Sequence, residues 1–167
     1  MKRAPTPDEV DALYRKIGLG VWHLQHLEYA LHVLLTTKVD VKVPGSMPAE
    51  AVRAAFHGHT RKTLGAALRT AKDNAALPQT LQSELDAFLT ERNWLIHRSI
   101  DDHAEGMFSE EGRRSAMTRL DQFVSEAQRL KELVIADFSA YAQSQGVSLS
   151  KATSAAHEQV ARLRGEA

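Results

Sequence analysis

Apolar residues recur near the start of the chain at Val10, Leu13, Ile17, Val21, Leu24, Leu27, Leu31 and Leu34. Their steps of three and four place them on one face of an α-helix sustained for about seven turns. Thr6 suits the cap of that helix, Pro7 its first position, and Glu9 completes a capping box. Gly18 and Gly20 lie inside it and would admit another helix at close range. Residues 39–45 alternate and then turn, which reads as a loop, extended at most briefly. A second helix is predicted over 48–74, with Val52, Phe56, Thr63, Ala67 and Ala71 inward. Residues 74–78 break the pattern before a third helix over 79–100, and a polar loop over 101–109 leads into a fourth over 110–143. That helix carries the stripe Met117, Leu120, Val124, Ala127, Leu130, Val134, Phe138 and Tyr141, and Gly146 ends it. Long amphipathic helices on short links predict an all-α fold: an antiparallel four-helix bundle forming one domain over residues 1–146. Residues 147–167 are polar and weakly helical, and read as a tail or a short docked fifth helix.

The third predicted helix carries an anomaly. Leu81, Leu85, Phe88, Arg92, Leu95 and Ser99 follow one another at steps of 4, 3, 4, 3 and 4, the spacing of a core seam. Arg92 stands where the pattern asks for leucine. A desolvated guanidinium is unfavourable unless paired or hydrated. Two accounts are open: an arginine satisfied by a carboxylate or by helix carbonyls, or a polar cleft opened in the bundle. Asn93 and His97 lie about 40° apart around the helix axis and flank the same seam.

Residues 91–98, Glu-Arg-Asn-Trp-Leu-Ile-His-Arg, resemble the Arg-polar-x(3–5)-His motif of HEPN domains. These are four-to-five-helix proteins that include metal-independent endoribonucleases of toxin–antitoxin and phage-defence systems. Residues 62–68, Lys-Thr-Leu-Gly-Ala-Ala-Leu, are similar to a Thr-Leu-Gly-x-x-Leu segment in the second helix of several such proteins. By architecture the resemblance covers residues 7–143; by motif it covers these two stretches. Spacing alone carries little, because Arg53/His59 and Arg98/His103 satisfy it too in a chain with 13 Arg and 8 His. Arg92/His97 adds the adjacent Asn93 and the apolar Leu95-Ile96 before the histidine. Where members pair with nucleotidyltransferase antitoxins, a Tyr commonly stands two positions after the His; here that position is Ser99, which weighs against that pairing.

The resemblance implies RNA cleavage at Arg92, Asn93 and His97, without a cofactor. RNA carries its own nucleophile, the 2′-OH. Histidine can take or give a proton near neutral pH, and arginine keeps its charge and grips phosphate in a fork. One copy supplies too few groups, so a homodimer with a composite site is expected, one His97 acting as base and the other as acid. Arg98, Arg53 and Lys62 are candidate RNA-binding cations. An antitoxin protein is a possible further partner. The alternative is a non-catalytic dimeric interaction or ligand-binding module in which Arg92 and His97 hold the interface.

Charge and composition narrow the picture. Among 167 residues, 21 Lys and Arg balance 21 Asp and Glu, so no global field attracts a polyanion and any RNA site must be local. Cysteine is absent, which removes thiol nucleophiles, thiolate metal sites and disulfides. His23/His26 and His57/His59 are conceivable metal ligands, but no Glu-x-x-His accompanies them, and partly exposed ordinary histidines are the better account. No metal is expected. Trp94 falls on the side of its helix opposite the seam, where it could stack a base or meet a partner. Trp22, His26, Tyr29 and Val33 make a second stripe on the first helix, to be covered by another helix or a dimer partner. Apolar runs such as residues 30–35 fall far short of the roughly 20 residues of a membrane span. The basic start leads into charge, not an apolar signal core, so a cytoplasmic location is expected.

Overall fold

The computed structural model of the chain describes residues 2–147 and residue 162. The expected tail over 147–167 lies, apart from Val147 and Arg162, outside the described residues. The fold is an all-α helical bundle, and among the described residues no strand occurs beyond one isolated bridge between Lys2 and Ser109.

Helix α1 spans Pro7–Leu35 and its capping box is formed: Glu9 N–H donates to Thr6 Oγ1 at 3.3 Å and Thr6 N–H to Glu9 Oε2 at 2.8 Å. The Arg3 guanidinium, bonded to the Glu9 carboxylate, holds that carboxyl at about 2, with the Thr6 N–H and Arg113 adding to the effect. The chain then continues helically through a π-turn, Thr36–Val41, where a loop is expected. The Thr36 and Thr37 hydroxyls donate to the carbonyls of His32 and Val33, which helps carry the helix past its α-register.

The second predicted helix is two helices, α2 (Ala49–Thr60) and α3 (Leu64–Asp73). Thr63, expected inward, is exposed and caps α3 by accepting from Ala66 N–H at 3.3 Å. Helix α4 (Gln79–Asn93) passes through a second π-turn, Trp94–Arg98, into the short α5 (Ser99–His103). A 3-10 turn, Gly106–Phe108, precedes α6 (Glu110–Ser144), which Ser109 caps. The 3-10 turn and α6 touch backbone to backbone: a Cβ on Gly112 would stand 2.2 Å from the Gly106 carbonyl oxygen.

The helix directions also differ from those expected. Glu9–Arg113, His23–Gln128 and Lys38–Asp137 pair residues that ascend together, so α1 and α6 run parallel, not antiparallel. Glu84–Arg129 and Glu91–Arg119 descend against each other, so α4 is antiparallel to α6. The chain thus reverses once more between α1 and α6 than a four-helix antiparallel bundle requires. Between these helices lies a core of Leu24, Leu27, Leu31, Leu64, Leu68, Leu85, Phe88, Leu120, Phe123 and Leu130. Gly20 leaves room on α1 for Leu95 of the second π-turn, since a Cβ there would meet Leu95 Cδ2 at 3.3 Å. Gly18 faces open space. Among the described residues, no helix is long and apolar enough to cross a membrane.

Candidate active site

The second π-turn builds the site. In a regular α-helix, residues five apart diverge by about 140° around the axis. A π-turn closes i to i+5 and brings such residues onto one side. Arg92 and His97 are five apart, and Arg92 Nη1 lies 3.4 Å from His97 Nε2. The same Nη1 donates to Asn93 Oδ1 at 3.3 Å. His97 and Asn93 are exposed, whereas the Arg92 side chain is only 18% exposed, as its place in the Leu85–Phe88–Leu95 seam requires.

Behind Arg92 stands a carboxylate that the sequence reading did not single out. Glu28 Oε1, from α1, lies 3.9 Å from Arg92 Nε, and its side chain is 21% exposed. Both atoms are buried and, among the described residues, have no hydrogen-bond partner. Burial pushes the Glu28 carboxyl above its usual range, and the Arg92 charge opposes that shift. The available signal was its register: Glu28 is four residues beyond Leu24 and three before Leu31, at the margin of the apolar stripe. The site therefore has a half-buried ion pair at the back and an exposed amide and imidazole at the front. A phosphate could take the outward edge of the guanidinium, with an imidazole beside it for proton transfer.

Trp94 corrects an expectation. It is 3% exposed: its own backbone is still α-helical (φ -60°, ψ -53°), and side chains from later in the chain close over that side of the helix. The Arg119 guanidinium lies 3.9 Å from its ring centroid and the His103 ring packs edge-on at 5.6 Å. It is a core residue and presents no face to a base.

The remaining candidate cations are not gathered in one place. Arg98 is exposed and pairs with Asp102 at 3.5 Å. Arg53 is exposed on α2. Lys62 belongs to a second polar cluster at the α2–α3 corner, where its Nζ lies 3.2 Å from Thr70 Oγ1 and 3.5 Å from His59 Nδ1. There His59 is buried, not partly exposed as expected, with Nε2 at 2.7 Å from Asp40 Oδ2. The π-turn Thr36–Val41 carries Asp40 to that contact. His32, one turn beyond Glu28 on α1, is also buried; desolvation first, then the charges of His59 and Lys62, lower it to about 4. His23 bonds Gln128 at 3.1 Å and His26 packs edge-on against Trp22. Among the described residues, no three His, Cys, Asp or Glu side chains are grouped so as to hold a metal ion.

Among the described residues nothing covers the second stripe of α1 at Trp22 and Tyr29, each 59% exposed, although Tyr29 also meets Phe56 of α2. Tyr14, Ile96 and Ile100 are exposed as well, and Tyr14 and Ile100 line one apolar groove with the edge of Trp94. No family model matches this chain, nor does any curated protein or any solved structure.

Proposed function

We propose that this protein is a metal-independent endoribonuclease of HEPN type, acting as a homodimer on RNA in the cytoplasm, as the toxin of a toxin–antitoxin pair or in phage defence. The observation that carries the reading is the contact of Arg92 Nη1 with His97 Nε2 at 3.4 Å, made across a π-turn at the break in an otherwise leucine-type seam. A guanidinium placed there for stability alone would be better paired than one whose Nε has no partner among the described residues.

In this mechanism the outward edge of Arg92 grips a non-bridging phosphate oxygen and stabilises the charge that develops on phosphorus. Arginine is a donor only, so in the free protein its contact occupies the Nε2 lone pair of His97. Phosphate competes for Nη1 and releases that lone pair. His97 of one copy then takes the 2′-OH proton, the 2′-oxygen attacks phosphorus and the bond to the 5′-oxygen breaks. His97 of the second copy gives the leaving 5′-oxygen its proton, leaving a 2′,3′-cyclic phosphate and a 5′-OH. Asn93 orients His97 or the phosphate. Arg98 and Arg53, exposed and on different elements, would contact flanking phosphates; Lys62 would do so only by leaving its contacts with His59 and Thr70.

The dimer reading draws on exposed apolar residues: Trp22 and Tyr29 along α1, and Ile96, which adjoins His97. The test is incubation of purified protein with total RNA in the presence of a chelator. Discrete cleavage supports the reading; intact RNA favours a dimeric module in which Arg92 and His97 serve the interface.

A further inference from the structure

Glu28 Oε1 and Arg92 Nε are both buried, both unpartnered among the described residues, and 3.9 Å apart. That gap exceeds hydrogen-bond length by about 1 Å. On the other edge, Nη1 reaches Asn93 and His97 at 3.3 and 3.4 Å, also at the long end. The guanidinium is thus drawn from two sides: by the enclosed Glu28 charge at its Nε edge, at ion-pair range, and by long contacts to exposed groups at Nη1. The two sides are not equivalent. Asn93 and His97 are exposed, and a phosphate oxygen bearing full charge can displace them. Glu28 comes from a different helix and is mostly enclosed, so an incoming phosphate meets the outer contacts and not this one.

We propose that Glu28 is the positioning residue of this site: it anchors the Nε edge of Arg92 from α1, so that the rigid fork presents its Nη edge outward beside His97. Because the guanidinium is planar, fixing one edge fixes the aim of the other. That the outward edge meets an RNA phosphate rests on the ribonuclease reading; the anchoring itself does not. A stability role would be served better by an apolar residue, which would extend the Leu24–Leu31 stripe and leave no carboxylate to desolvate. The charged and titratable groups around Glu28 are Arg92 from α4, with His97 beyond it, and His32 one turn along α1, with Lys62 and His59 behind it at the α2–α3 corner.

The experiment combines arginine side-chain NMR with cleavage kinetics on the full chain, using Glu28→Gln, which keeps the shape, and Glu28→Asp, which keeps the charge. The Arg92 Nε–H resonance is assigned by its loss in Arg92→Lys. In the wild type it should move with pH through an inflection that belongs to Glu28. In Glu28→Gln that inflection should vanish. In cleavage, Glu28→Gln should lower kcat by about 10²-fold, with KM little changed and an altered acid limb of the pH profile. Glu28→Asp should recover part of the rate. If Glu28→Gln does not fold, the Glu28→Asp resonance, displaced from wild type but still titrating, carries the same test. An Arg92 resonance that titrates identically with and without the Glu28 carboxylate overturns the proposal, as does a Glu28→Gln enzyme with wild-type kcat and pH profile. A wild-type protein that cleaves no RNA overturns the ribonuclease reading alone, and the Arg92 resonance then decides the anchoring.

Discussion

Arg92 and His97 face each other at 3.4 Å because a π-turn, not an α-turn, separates them. A single chain places one imidazole beside that guanidinium, while in-line cleavage of RNA calls for a base and an acid on opposite sides of phosphorus. If two copies share each site, His97→Ala subunits should poison wild-type subunits in mixed dimers. Mixing equal amounts under exchanging conditions should then leave about a quarter of the wild-type activity for a composite two-fold site, against about a half for independent sites. Sedimentation equilibrium of the mixture should give the mass of two chains; a single-chain mass at micromolar concentration would contradict the composite site.

The Glu28–Arg92 pair should favour function over stability. Arg92→Leu alone strands the Glu28 carboxyl and should lower the melting temperature. Glu28→Leu together with Arg92→Leu should be more stable than the single variant by about 1–4 kcal/mol, and at least as stable as the wild type, because the pair's desolvation is removed. Both variants should be inactive. A double variant that melts below Arg92→Leu would show that the pair is structural.

Much of this fold is legible in the sequence, and the exceptions share a cause. The Thr6–Glu9 box and the stripe of α6 depend on neighbours three or four residues away, which the chain states locally. The π-turns do not declare themselves that way, since one extra residue per turn is invisible to a regular helical count. That is why the motif residues could be chosen from their flanking Asn93 and Leu95-Ile96, while their mutual contact could not be foreseen. Trp94 reads as outward and lies in the core because Arg119 and His103, later in the chain, cover it. Glu28, Asp40 and His59 act through partners distant in sequence, and no local pattern marks them. The break at residues 61–63 is hidden as well, because Thr63 continues the apolar register and yet serves as a cap.

His32 should make stability depend on mild acid. Its folded-state value is lowered from 6.5 to about 4, so between those values the unfolded chain binds more protons than the folded one. Stability should therefore be fully present above about pH 6.5, fall as pH drops toward 4, and lose up to about 3 kcal/mol from this group. Glu28, shifted upward, acts in the opposite sense just above the ordinary carboxylate range. Urea unfolding at several pH values checks the balance: His32→Gln should flatten the loss between pH 6.5 and 4. An unchanged slope in that variant would refute the assignment.

Gly112 is required by contact, not by backbone conformation. A Cβ there would lie 2.2 Å from the Gly106 carbonyl oxygen and 2.6 Å from its Cα, and neither is a flexible side-chain end that can yield. Gly112→Ala should therefore cost about 1–3 kcal/mol through displacement of the 3-10 turn from α6. Gly18→Ala, with open space at its Cβ and a helical backbone, should be neutral or stabilising. Thermal melts of the two variants measure the contrast, and equal melting temperatures would contradict it.

The central claim is that Arg92 and His97 cleave RNA, and it is tested most directly by the product of one defined reaction. A 5′-labelled RNA oligonucleotide is incubated with wild-type and His97→Ala protein in the presence of chelator, and the new 3′ ends are identified. The wild type should yield fragments ending in 2′,3′-cyclic phosphate, and His97→Ala should be slower by at least about 10²-fold per group lost. Intact RNA with the wild type, or equal cleavage by His97→Ala, would contradict the account.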